Sequence, residues 1–152
     1  MTTTLQTRET LIDGPFGAVL LLQTGGFSVV EHPIAPRTLA APAHVHQHED
    51  EYSYVAEGEV GFEIGDETFA AGPGQLVAKP RGIWHAFWNR SDEPARLLEI
   101  ISPAGFERYF DEISQAPPPA RAEIMARYGL TMDFDSIEVI SRREGLPAPG
   151  AP

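Results

Sequence analysis

Short apolar or alternating runs, separated by Gly, Pro and Asp at close intervals, fill the chain between residues 16 and 101. An extended chain points successive side chains to opposite faces, so this rhythm predicts an all-β sandwich or barrel rather than helices. Strands are expected at residues 18–23, 27–34, 52–56, 60–64, 68–70, 76–79, 84–88 and 96–101. Glu57-Gly58-Glu59 and Gly65-Asp66 place turn residues between alternating segments and are read as two tight hairpins. After Ile101 the period becomes helical, with Phe106, Tyr109, Phe110 and Ile113 three and four residues apart on one stripe. Ser102-Pro103 marks the start of that helix, which is expected to pack on the strands. Pro117-Pro118-Pro119 interrupts it and leads into a second helix over 120–128, stopped by Gly129. A third helix over 135–144 is expected to open with an Asp135/Glu138 capping box and to end at Gly145, with a frayed tail over 146–152.

A chain of 152 residues is long enough for one real core and too short for two, so one domain is expected. The charge narrows the partners: 22 acidic against 11 basic residues leave −11, which repels phosphate and argues against nucleic acid or an anionic membrane. A small molecule is the expected partner. There is no cysteine, so any metal must rest on histidine and carboxylate, and disulfides and thiol nucleophiles are excluded. The apolar run at residues 18–22 is too short for a signal peptide or a membrane span, and a cytoplasmic location is the default expectation.

The histidines carry the chemistry. In His44-Val45-His46 the two imidazoles are two residues apart, so on an extended strand both leave one face and can meet one ion. Glu51 lies five residues further on, an odd step, so residues 47–50 must turn or bulge before it points inward, with Ser53 and Val55 on its face. His85 follows the turn Pro80-Arg81-Gly82 on a later strand. Three histidines and a glutamate at ligand-compatible spacing outweigh the alternative of isolated, hydrogen-bonded core histidines. His48 falls inside the turning segment and is read as a surface residue or a support for a ligand. His32 is read as structural or exposed. Glu49 and Asp50 are read as solvated turn residues, because a charge run is usually a solvated face. Phe87 shares strand parity with His85 and is, with Ser53, a candidate for the pocket, whereas Trp84 and Trp88 should face away.

These residues fall into two spaced motifs. The first is His44-Val45-His46, four residues, Glu51, six residues, Gly58; the second is Gly74, five residues, Pro80-Arg81-Gly82, two residues, His85, three residues, Asn89. In both, the chain resembles the cupin superfamily, over roughly residues 27–101. The resemblance implies a mainly β fold, a double-stranded β-helix or jelly-roll barrel, with C-terminal α-helices added. On that reading residues 1–102 are the barrel with an N-terminal arm, and 103–152 a helical extension of the same domain. It also implies one divalent transition metal, Fe, Mn, Ni, Co, Cu or Zn, on His44, His46, Glu51 and His85, and a homodimer rather than a monomer. Such a ligand set leaves one or two positions open for water, dioxygen or a chelating substrate.

Three functions follow from the resemblance. The chain is similar to small quercetinase-like dioxygenases, in which an enol or flavonol chelates the metal and Glu51 would serve as ligand and general base. A second reading is a non-catalytic small-molecule-binding or sensor module. A third is an oxygen-independent isomerase, decarboxylase or cyclase that uses the metal as a Lewis acid.

Overall fold

The computed structural model describes residue 6 and residues 8–148. Residues 149–152 of the tail expected to fray, and residues 1–5 and 7 of the N-terminal arm, lie outside the described residues. Eleven strands and three α-helices follow one another as β1 Glu9–Ile12, β2 Ala18–Gln23, β3 Ser28–Ile34, β4 Thr38–His46, β5 Asp50–Glu57, β6 Val60–Ile64, β7 Glu67–Ala71, β8 Leu76–Lys79, β9 His85–Asn89, β10 Ala95–Ser102, α1 Glu107–Gln115, α2 Arg121–Arg127, β11 Leu130–Met132 and α3 Ser136–Glu144. All the strand pairs are antiparallel and fall into two sheets, ordered β1-β2-β3-β10-β5-β8 and β11-β4-β9-β6-β7.

Each expected strand has a counterpart within about two residues, but three strands were not anticipated. β1 and β11 are short, and β11 shows that the segment after Ser102 is not purely helical. β4 is the longest strand and its sequence hides it: Pro42 sits in its middle and Ala40, Ala41 and Ala43 blur the alternation. Its pairing with β9 slips between Leu39 and Ala41 and again between Ala41 and His44, which is how a strand accommodates a proline.

Two other expectations are corrected. Gly58 does not close a hairpin, because β5 pairs with β10 and β8 while β6 pairs with β7 and β9. The chain instead crosses there from one sheet to the other. Gly58 takes φ +74°, and a Cβ on it would lie 2.7 Å from the carbonyl oxygen of Pro94, so glycine is required on two counts. Nor do the sheets close into a barrel: among the described residues no ladder joins them, because loops such as 47–49 and 58–59 carry the chain between the sheets.

The main core lies between the two inner faces, where Ile34, Val55, Phe62, Val77, Phe87 and Leu97 meet. β10 alternates between buried and half-buried residues, placing Leu97, Glu99 and Ile101 inward. β9 is buried throughout because its other face is covered as well, with Trp88 packed against Ile140 and Leu146. α1 and α2 pack against the six-stranded sheet, with Phe106, Tyr109 and Ile124 in one cluster with Leu20, Val30 and Ile101. The Asp135/Glu138 capping box does not form: no side chain caps α3, since Asp135 is already helical. Asp133 takes over, accepting from the Asp135 amide at 3.0 Å. Gly145 ends α3 in the left-handed conformation, as expected.

Candidate metal centre

His44 and His46 leave the inner face of β4, and His85 opens β9, directly opposite His44 in the register. Residues 47–49 then pass to the other sheet, so that Glu51, near the start of β5, approaches from across the sandwich. The odd spacing of Glu51 is therefore solved by changing sheets rather than by a bulge within one strand. All four side chains are buried, and one ligand atom from each lies within 4.8 Å of every other. Glu51 Oε2 is 3.4 Å from both His46 Nε2 and His85 Nε2.

Two of the three outer ring nitrogens are held by main-chain carbonyls. His44 Nδ1 lies 2.7 Å from the Pro42 carbonyl and His85 Nδ1 lies 3.1 Å from that of Ile83. His46 Nδ1 is different: it faces Glu49 Oε2 at 3.5 Å, an ion-pair distance, and neither atom has a hydrogen-bond partner. An imidazole that donates from Nδ1 presents the lone pair of Nε2, and a carbonyl or carboxylate behind a ligand fixes its orientation. His46 Nε2 and His85 Nε2 are buried with no hydrogen-bond partner. Buried polar atoms are seldom left so, and together with a carboxylate they form a donor set that fits a divalent ion.

The electrostatics fit the same reading. Burial, then the neighbouring His85 and His46, holds His44 well below the usual imidazole pKa; His85 is lowered too, chiefly by burial. Burial also opposes charge on His46, but Glu51 and Glu49 overcome it and raise this pKa to about 9. Burial would raise Glu51, yet His46 and Lys79 keep its carboxyl well below the ordinary range. His46 and Lys79 thus both favour the ionised form of Glu51, and a bound cation would displace any proton carried by His46.

The cluster opens onto a cavity of about 210 Å³. Phe16, His32, Phe87, Phe106, Tyr109 and Phe110 give it aromatic walls. Two charged side chains in the lining were missed by the sequence reading, Lys79 and Glu99. Each is 1% exposed. The Lys79 ammonium pairs with Glu99 and lies 3.3 Å from Glu51 Oε2, and Ser53 Oγ donates to Glu99 Oε2 at 2.5 Å. Burial pushes Glu99 up to about 7 even though Lys79 pulls it down. The alternation of β10 does put Glu99 on the inner face, the one signal that could have found it; Lys79 shares a face of β8 with Val77, but the equally apolar Leu76 and Ala78 on the other face leave the inward face unmarked in the sequence.

The other candidates divide. Phe87 lines the cavity, while Ser53 stands behind it, holding Glu99. Trp88 faces away, under α3, and Trp84 is exposed. Asp50 is at the surface, clasped by Arg81 at 3.0 Å, but Glu49 is not solvated: it is buried behind His46, because the turn that carries the chain between sheets folds it inward. His48 is exposed. His32 is buried and structural: Nδ1 is bonded to the Gly17 carbonyl at 2.7 Å and the ring stacks on Phe16.

Comparison with known proteins matches residues 30–101 to the family described as the cupin domain. Polyketide synthase CurC of Streptomyces cyaneus is 28% identical over 83 residues, 55% of this chain and 54% of that protein. The chain thus spans about half the length of this relative. Among solved structures, TT1209 from Thermus thermophilus is 28% identical with a TM-score of 0.55, covering 58% of this chain and 83% of the other. KdgF from a Halomonas species shares the fold at 16% identity and a TM-score of 0.57, over 68% of this chain and 88% of its own. So does a Klebsiella pneumoniae protein with a double-stranded β-helix domain, at 22% identity and 0.55, over 62% and 82%.

Proposed function

From a chain that belongs to the cupin superfamily, by its motifs and its fold, we propose a metal-dependent enzyme that acts on a small, enolisable, largely apolar carbonyl compound. One observation carries this reading: a buried His44, His46, Glu51 and His85 cluster at the end of an aromatic-walled cavity. A divalent ion held there would polarise a carbonyl or enol oxygen and, if redox-active, bring in dioxygen. The protein's own contribution is to exclude water with Phe16, Phe87 and Phe110, to orient a flat guest between them, and to keep charge near its oxygen atoms. The similarity to a protein named as a polyketide synthase supports an enolisable substrate, since polyketides are rich in such carbonyls.

Two fates of the substrate are open, cleavage by dioxygen and an oxygen-independent isomerisation or cyclisation. The second is favoured by Glu99, a cavity carboxyl pushed up to about 7, which can both take and return a proton at neutral pH. Glu51 is less suited to that task, because His46 and Lys79 hold it ionised. The test is turnover of enolisable aromatic carbonyls by metal-loaded protein, followed by absorbance with and without dioxygen. Equal rates in both support the proton-transfer reading, oxygen uptake matching turnover supports the dioxygenase, and no turnover with any of Fe, Mn, Ni, Co, Cu or Zn would sink the enzyme reading.

A further inference from the structure

Lys79 brings a buried positive charge to the cavity wall. Burying an ammonium is strongly unfavourable unless it is paired, and this one is 1% exposed. Two carboxylates surround it, Glu51 at 3.3 Å and Glu99 in closer contact. One carboxylate would suffice to neutralise it. Glu51, however, belongs to the metal cluster, and a ligand that turns to an ion gives up much of its hold on a lysine. Glu99, fixed in turn by Ser53 Oγ, keeps Lys79 in place regardless.

An ammonium has three protons. Glu51 and Glu99 can take two, and beyond them the ammonium has only the face of Phe87 beside it, with no third oxygen in an ion pair or hydrogen bond to it among the described residues. Lys79 itself lines the cavity, with Nζ 4.7 Å from the centroid of the Phe87 ring. An apolar filler would serve a purely structural role at that position with no desolvation cost.

Charge counting gives the sign of the guest. With a divalent ion bound, the groups that line the cavity hold +2 from the ion, +1 from Lys79, −1 from Glu51 and at most −1 from Glu99, so the lining is left at about +1 or more, partly offset by Glu49 behind His46, within a chain whose net charge is −11. We propose that Lys79 is a specificity-determining residue: a fixed ammonium in the cavity wall that hydrogen-bonds an anionic oxygen of the guest and so selects an ionised enol over a neutral compound of the same shape. This rests on the cavity being the substrate site and goes beyond the metal assignment, since the selecting group is not a ligand of the ion.

The test uses 2-hydroxy-1,4-naphthoquinone, a flat vinylogous acid that is anionic at neutral pH, and its methyl ether, which is neutral and nearly the same shape. Binding of each is read by quenching of the intrinsic fluorescence of the full chain, loaded with Zn(II) and again without it. Wild type should prefer the anion. In Lys79→Met combined with Glu99→Gln, which keeps the charge balance, that preference should fall by at least about tenfold, the loss expected for one charged hydrogen bond. Ether binding should stay within about threefold when each protein is compared at saturating Zn(II). Glu99→Gln alone provides the opposite sign: it removes a competing anion but leaves Lys79, and the preference should rise. A structural role for Lys79 would not produce opposite shifts. An unchanged anion preference in the double variant, or a fall in Glu99→Gln, would overturn the proposal. If neither protein binds Zn(II) while the preference still follows Lys79, the metal reading fails and this one stands.

Discussion

Glu49 shows how much one residue behind a ligand can decide. Its carboxylate reaches the outer nitrogen of His46 at 3.5 Å, and His46 is the only one of the three histidines backed by a side chain rather than a main-chain carbonyl. Glu49→Ala is therefore expected to leave the fold intact and weaken Zn(II) binding by about 10- to 100-fold in a chelator-competition titration. Unchanged affinity would mean that Glu49 only fills space. His32 offers a prediction about acid. Burial lowers its pKa from 6.5 to about 4, with its bond to Gly17 opposing the shift. Between those values the unfolded chain takes up a proton that the folded protein refuses. Stability therefore falls as pH drops through 6.5 and stops falling from this source below about 4. From pH 7 to 4.5 the loss should be on the order of 2 to 3 kcal/mol. Urea unfolding of wild type and His32→Gln at both pH values should show a shallower loss in the variant; parallel losses would assign the acid sensitivity to other groups.

At the scale of elements, the site depends on where strands change sheets. Residues 47–49 deliver Glu51 to the sheet facing its histidines, and Gly58 returns the chain to the histidine sheet. A side chain at Gly58 would meet Pro94 O at 2.7 Å and the Ala95 Cα at 2.9 Å in a left-handed conformation, so both space and backbone oppose it. Gly58→Ala should cost about 1 to 3 kcal/mol in equilibrium unfolding. A cost within a few tenths would show that this crossing relaxes easily. α1 has a similar positional role, since Phe106 meets the His46 ring edge-on with centroids 4.4 Å apart while Tyr109 and Phe110 continue the cavity wall. The stripe that marks α1 as amphipathic thus faces a cavity as well as a core.

At the scale of the molecule, a metal site built from both sheets ties them together. Any ion that binds the folded chain alone stabilises it by mass action, about 2.7 kcal/mol at a hundred times Kd. Untagged wild type should melt higher with added Zn(II) or Co(II), and a chelator should reverse the gain. His46→Ala should show no such shift. Equal melting of wild type with and without the ions would mean that the four buried side chains hold no metal under those conditions. No helix among the described residues is long and apolar enough to cross a membrane.

The local signals were in the sequence because they depend on near neighbours. Alternation located eight strands, the three-and-four spacing located α1, and His44-Val45-His46 fixed two imidazoles to one face of whatever strand carried them. Spacing against a family pattern added Glu51 and His85, and the fold brings all four side chains together. What escaped the reading was everything set by the packing of one sheet on the other. Gly58 reads as a hairpin because a turn residue says that the chain reverses, not which sheet it joins next. Glu49 reads as solvated because its neighbours in sequence are charged, while its burial comes from His46 and the crossing of residues 47–49. Lys79 and Glu99 are single charges twenty residues apart; each would be prohibitive to bury alone, and only the tertiary structure supplies the partner that makes both tolerable.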